Sequence, residues 1–107
     1  MESTRYERNG YVVWLNEQGQ RHRTDGPAVE SANGTQEWWV NGKRHRIDGP
    51  AVEYADGDRF WYVNGKRHRT DGPAIEYANG YQGWWENGKL KYTYDPNYAD
   101  TTEDFLI

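Results

Sequence analysis

A ten-residue string, Arg-His-Arg-x-Asp-Gly-Pro-Ala-(Val/Ile)-Glu, begins at Arg21, again at Arg44 and again at Arg67, a period of 23 residues each time. A second block keeps the same period: Trp38-Trp39-Val40-Asn41-Gly42-Lys43, Trp61-Tyr62-Val63-Asn64-Gly65-Lys66 and Trp84-Trp85-Glu86-Asn87-Gly88-Lys89. A fixed period of this length means stacked supersecondary units, each burying its apolar side on its neighbours. It also argues against a single active centre, because every notable side chain arrives in triplicate.

Within a unit, turn signals are dense. Asp56-Gly57 and Asn64-Gly65 are read as two-residue hairpin turns, since type I′ needs φ > 0 at both central residues. Asn33-Gly34, Asn41-Gly42, Asn79-Gly80 and Asn87-Gly88 repeat that signal. The intervening runs, Ala51 to Ala55 and Asp58 to Val63, are rich in β-formers, and no window shows a helical period. The expected fold is all-β: one twisted antiparallel meander of stacked hairpins, joined through Lys-Arg-His-Arg segments, with degenerate end repeats. A β-solenoid would stack Arg46 directly on Arg23 and Arg69 at about 4.8 Å, whereas a meander sets equivalents roughly 9–10 Å apart. The repeat domain is placed at 1–91, with units near 9–32, 33–55, 56–78 and 79–91. A closing strand and acidic tail follow at 92–107.

A two-residue Asp56-Gly57 loop would put Tyr54 opposite Arg59, Glu53 opposite Phe60 and Val52 opposite Trp61. Val52 and Trp61, with Val29/Trp38 and Ile75/Trp84, then form the expected core face. The other face would carry Ala51 with Tyr62 and Glu53 with Phe60, repeated as Ala28 with Trp39 and Ala74 with Trp85.

Charge and composition narrow the function. Residues 11–91 hold eleven Lys/Arg and eleven Asp/Glu, and the net −4 comes from Asp95, Asp100, Glu103 and Asp104. A balanced body does not suit nucleic acid, which selects a basic excess. There is no Cys, so thiolate and disulfide chemistry are excluded, and a reducing cytoplasm is the expected compartment. No apolar run reaches the length of a membrane span.

His22, His45 and His68 would be too widely spaced in a meander to share one zinc ion, and each is read as a packed, hydrogen-bonded side chain. Asp25, Asp48 and Asp71 are read as Asx-turn residues that fix the corner before the next strand, with the following Gly supplying an unusual φ. Arg23, Arg46 and Arg69 stand two residues earlier, on the same side of an extended segment, so an ion pair with those Asp is expected, with Glu30, Glu53 and Glu76 as further partners.

The string Trp39-x-Asn41-Gly42-Lys43-Arg44-His45, followed by Tyr54-Ala55-Asp56-Gly57 on a 23-residue period, resembles the MORN repeat. The likeness covers about residues 9–92. It departs in two ways: Arg23, Arg46 and Arg69 replace the Gly that follows the family's His, and Asp-Gly-Pro replaces a bare x-Gly. The resemblance implies an elongated sheet acting as adaptor or scaffold, sometimes near membranes, without catalytic residues. The Asp-Gly-Pro-Ala variety is also similar to small proteins of phages and their bacterial hosts, which implies an inhibitor role.

The expected function is a non-enzymatic protein-binding module with a face made of Trp39, Tyr62, Trp85, Phe60, Arg23, Arg46 and Arg69. Inhibition or adaptor work would follow from occupying a partner protein. The alternative is sequestration of a nucleotide on that face, and an enzyme ranks last because no nucleophile–base or metal constellation stands out. No cofactor or metal is expected. Phe105, Leu106 and Ile107 could dock on a partner groove, and open sheet edges would allow self-association.

Overall fold

The computed structural model describes residues 3–97, and residues 105–107, the proposed tail anchor, lie outside them. The described chain holds no helix between residues 20 and 90. It forms an open antiparallel meander rather than a barrel. Strands β1 (Thr4–Arg8) and β2 (Tyr11–Leu15) make an N-terminal hairpin. Each repeat then contributes a pair to the main sheet: β3 (Val29–Glu30) with β4 (Gln36–Glu37), β7 (Val52–Glu53) with β8 (Arg59–Phe60), and β11 (Ile75–Glu76) with β12 (Gln82–Glu86). β13 (Lys89–Tyr94) closes the far end. Neighbours in the nine-stranded sheet follow chain order throughout. Equivalent residues in successive repeats are therefore two strand spacings apart, about 9–10 Å.

Beside the main sheet lie two short hairpins, β5 (Trp39–Val40) with β6 (Lys43–Arg44) and β9 (Tyr62–Val63) with β10 (Lys66–Arg67). Each turns on Asn-Gly. Asn41 and Gly42 have φ of 49° and 81°, and Asn64 and Gly65 have 51° and 82°, the double left-handed conformation of type I′. Asn tolerates that region better than other side chains, which is why the dipeptide recurs.

The second set of Gly turns corrects the expected register. Tyr54 N–H donates to Asp58 O, leaving three residues, Ala55-Asp56-Gly57, in the loop. Only Gly57 has positive φ, and the Asp56 carboxylate accepts the N–H of Asp58 at 3.0 Å. Asn33 and Asn79 do the same for Thr35 and Tyr81. Three-residue loops with a left-handed third residue are the next commonest hairpin class. One extra loop residue shifts the pairing by one, so Val52 faces Phe60 and Glu53 faces Arg59. Such a slip transfers every side chain to the opposite face.

The register defines two cross-sheet rows. Val13, Val29, Glu37, Val52, Phe60, Ile75 and Gly83 line one face, and Val12, Glu30, Gln36, Glu53, Arg59, Glu76 and Gln82 the other. We term these the aliphatic face and the acid face. Val29, Val52 and Ile75 are buried on the first, and Ala28, Ala51 and Ala74 are fully buried beside them. Phe60, not Trp61, thus shares a face with Val52.

Repeats are hooked together outside the sheet. His22, His45 and His68 each accept on Nδ1 the backbone N–H of the Asn that opens the next Asn-Gly turn (Asn41, Asn64, Asn87) at 2.9–3.0 Å. Gly42, Gly65 and Gly88 N–H donate to the carbonyls of Arg21, Arg44 and Arg67 one repeat earlier. Across the sheet, Thr35 Oγ1 and Asp58 Oδ1 accept the N–H of Ala55 and Ala78. The result is an elongated body of 53 × 27 × 17 Å. Among the described residues no helix is long and apolar enough to cross a membrane.

Candidate functional site

The second arginine of each Arg-His-Arg string packs against the protein's own side chains. Arg46 lies flat on Trp38, its guanidinium carbon 3.8 Å from the ring centroid. Nε donates to Asp48 at 3.1 Å, and Nη1 to the Pro50 carbonyl at 3.0 Å and to Glu53 at 3.2 Å. Arg69 repeats the arrangement on Trp61 with Asp71, Pro73 O and Glu76. Arg23 does so on Trp14 with Asp25 and Pro27 O. These contacts are charge-assisted and ordered by the ring beneath, the use that suits a rigid guanidinium fork.

Two expectations change here. Asp25, Asp48 and Asp71 fix the corner through an ion pair with the arginine two residues earlier, not as Asx-turns. Gly26, Gly49 and Gly72 do not have positive φ; a Cβ there would lie 2.8–2.9 Å from the arginine Cζ, so the missing side chain gives the guanidinium room to lie where it does.

The binding face read from sequence is divided. Trp39, Tyr62 and Trp85 belong with Phe60 on the aliphatic face, whereas Arg23, Arg46 and Arg69 belong with the acid face. Trp39 Nε1 donates to Glu37, and a Cβ at Gly83 would touch Trp85 Nε1. The arginines that accompany these rings are Arg21, Arg44 and Arg67, which sequence reasoning passed over. Trp39 is flanked by the guanidinium carbons of Arg21 at 5.1 Å and Arg44 at 5.2 Å. Arg44 also faces Tyr62 at 5.4 Å, and Arg67 faces Trp85 at 5.0 Å. The outcome is a ladder of alternating arginine and aromatic rungs, one pair per repeat. The signal was available, since Arg21, Arg44 and Arg67 recur as faithfully as the second set.

The ladder has an excess of positive charge. Arg44 meets Glu37 at 3.6 Å, while Arg21 and Arg67 have no carboxylate within 4.0 Å among the described residues. The Nε atoms of Arg44 and Arg67 are buried without a hydrogen-bond partner, pressed into the rungs. Alongside runs a second aromatic row, Tyr54, Phe60, Tyr77 and Tyr81, in contacts of 5.5–5.6 Å, with Tyr54 and Tyr77 exposed. Both rows flank the buried Val29–Val52–Ile75 strip.

His22, His45 and His68 each serve a different Asn-Gly turn, and no cluster of three or more metal-ligating side chains occurs among the described residues. No family model, curated protein or solved structure matches this chain.

Proposed function

We propose that this chain is a non-enzymatic binding module, a MORN-like repeat protein whose arginine–aromatic ladder seats an acidic surface of a partner protein. The carrying observation is that Arg21 and Arg67 lie beside the ladder rings without a carboxylate of their own among the described residues. A guanidinium already ordered by stacking loses less freedom when it grips a carboxylate, and Trp, Tyr and Arg are the side chains that dominate interface energetics. Three arginines against Glu37 leave the ladder at net +2 (3 − 1). Blocking a partner's surface in this way is the action of an inhibitor or adaptor, of the phage type in the cytoplasm of a host, and requires no bond chemistry.

The test is a quantitative pull-down comparing the native chain with Trp39→Ala/Trp85→Ala and with Arg21→Glu/Arg67→Glu. A partner retained at native level by both variants would sink the reading. The same rungs are spaced to stack bases, so nucleotide sequestration is the second reading. A nucleotide panel read by tryptophan fluorescence and melting temperature separates the two, because only the second gives a response without protein. Self-association through β1 and β13, the two open edges of the sheet, is measured by light scattering on the same samples.

A further inference from the structure

The main sheet has two open edges, β1 and β13, and only β1 is uninterrupted. β13 is bulged where its pairing with β12 shifts between Trp84 and Trp85, and it carries Lys89 and Lys91. Bulges and lysines are the devices that keep an edge from recruiting another strand. β1 instead pairs with β2 without a break from Thr4↔Leu15 to Arg8↔Tyr11. All five of its residues are exposed.

The turn fixes which backbone groups of β1 face outward. Asn9 and Gly10 have φ of 53° and 83°, a two-residue type I′ turn, so Arg8 and Tyr11 form a hydrogen-bonded pair. Such pairs alternate along an antiparallel ladder, so Tyr6 and Thr4 also bond to β2, whereas Arg5 and Glu7 do not. Trp14, opposite Arg5, has the matching phase: its N–H donates to Ala28 O at 2.8 Å and its carbonyl accepts from His22 N–H at 3.0 Å, both away from β1. The N–H and C=O groups of Arg5 and Glu7 are thus left without a backbone partner among the described residues.

Those groups, and the side chains between them, select both the occupant and its register. A second copy of β1, antiparallel about a two-fold axis, engages them when outward residues meet outward residues. Setting Arg5 on Arg5, or Glu7 on Glu7, opposes like charges, which destabilises a sheet. The register midway between these sets Arg5 opposite Glu7 of the second copy and Glu7 opposite its Arg5. Arg5 and Glu7 already meet at 3.0 Å along their own strand, with side chains about half exposed, so the four charges close into an alternating square. Tyr6 then falls on Tyr6 at the axis, a non-hydrogen-bonded pair in which side chains approach closest. Tyr6 stands opposite Val13 and is 52 % exposed, so the contact continues the row through Val29 and Val13 into the second copy. A slip of one residue would lose the hydrogen bonds and put Tyr6 against the charged face.

We propose that this chain forms a two-fold dimer through β1, with Arg5 paired to Glu7 and Tyr6 to Tyr6 across one continuous sheet. The axis is perpendicular to that sheet, so both copies turn the same face to the same side and the two ladders lie together. The dimer offers two ladders to a partner that displays two acidic sites. That last consequence rests on the proposed function, whereas the pairing of β1 does not. An interface of two short strands is small, so the dimer is concentration-dependent rather than permanent.

The test is sedimentation equilibrium of the full chain from micromolar to millimolar concentration, where the native protein should follow a monomer–dimer equilibrium. Arg5→Glu and Glu7→Arg each set like charges against one another and should weaken self-association about tenfold or more. An equal mixture of the two variants pairs opposite charges again and should regain native association. The double variant Arg5→Glu/Glu7→Arg restores the alternation within one chain and should dimerise as the native chain does. Leu90→Lys, on the exposed side of β13, should change nothing. Circular dichroism follows the fold of each variant. A native chain that stays monomeric at millimolar concentration, single variants that dimerise like native, a mixture or double variant that does not regain dimerisation, or loss of the dimer in Leu90→Lys would each overturn the proposal.

Discussion

Gly49→Ala isolates the energetic role of the half-buried Arg46. The added methyl would sit 2.9 Å from Arg46 Cζ, closer than nonbonded carbons approach, so the guanidinium must shift against Trp38, and the cost is set by the contacts that pin it there. Cation–π contacts contribute about 0.5–2 kcal/mol. A charge-assisted hydrogen bond such as that to Pro50 O contributes about 1.5–3 kcal/mol. Against these stands a gain of about 0.4–1 kcal/mol, because Ala has fewer unfolded conformations than Gly and the backbone here has no positive φ. The expected net loss is about 2 kcal/mol, or roughly 8–16 °C in melting temperature for a domain near this size. The sharper expectation is a sign change. In an Arg46→Ala background the obstruction is gone, so Gly49→Ala should be neutral or stabilising by a few tenths to about 1 kcal/mol. Urea unfolding of the four proteins, followed by tryptophan fluorescence, gives the coupling energy. If Gly49→Ala costs the same with and without Arg46, the glycine is not there to make room for the guanidinium.

Three further outcomes follow from the hooks between repeats. His45→Leu leaves the Asn64 N–H without its acceptor and should cost about 1–2 kcal/mol, with faster amide exchange at Asn64 and little change at Asn41. Asn64→Ala places a side chain with no local hydrogen-bonding capacity at φ 51° and should cost about 1–2 kcal/mol, whereas Asn64→Gly should be tolerated; urea midpoints compare them. Asp58→Ala removes the 2.7 Å acceptor of the Ala78 N–H and should cost about 1 kcal/mol, while Asp58→Asn should keep most of it, as measured by exchange at Ala78.

The period of 23 residues carried the architecture, because only a meander lets three like-charged Arg-His-Arg segments recur without stacking on one another. The Arg-x-Asp spacing carried the ion pairs, since two residues along an extended segment is one side. The face assignment failed on a single residue. Asn64-Gly65 and Asp56-Gly57 look alike as dipeptides, yet the first closes a two-residue turn and the second ends a three-residue loop whose Asp56 side chain bonds forward to Asp58. That distinction depends on where the flanking strands begin to pair, which the dipeptide does not encode. The same slip misassigned the arginines: which guanidinium reaches which ring follows from the interruption of the strand at Trp38 and Trp61, a tertiary feature. The glycine of Asp-Gly-Pro was misread because glycine signals both unusual φ and lack of a side chain, and only the position of Arg46 tells which applies.

Arg23, Arg46 and Arg69 are intramolecular fastenings, each engaged with a tryptophan ring and an aspartate, and the proposed function leaves the other arginine set to face a partner. Arginine-selective NMR of the side-chain Nε–H groups tests the fastening directly. The account predicts three slowly exchanging Nε–H signals from Arg23, Arg46 and Arg69, with upfield side-chain shifts from Trp14, Trp38 and Trp61, whose centroids lie 3.8–4.2 Å from the guanidinium carbons. Rapid exchange at random-coil positions for those three arginines would contradict it.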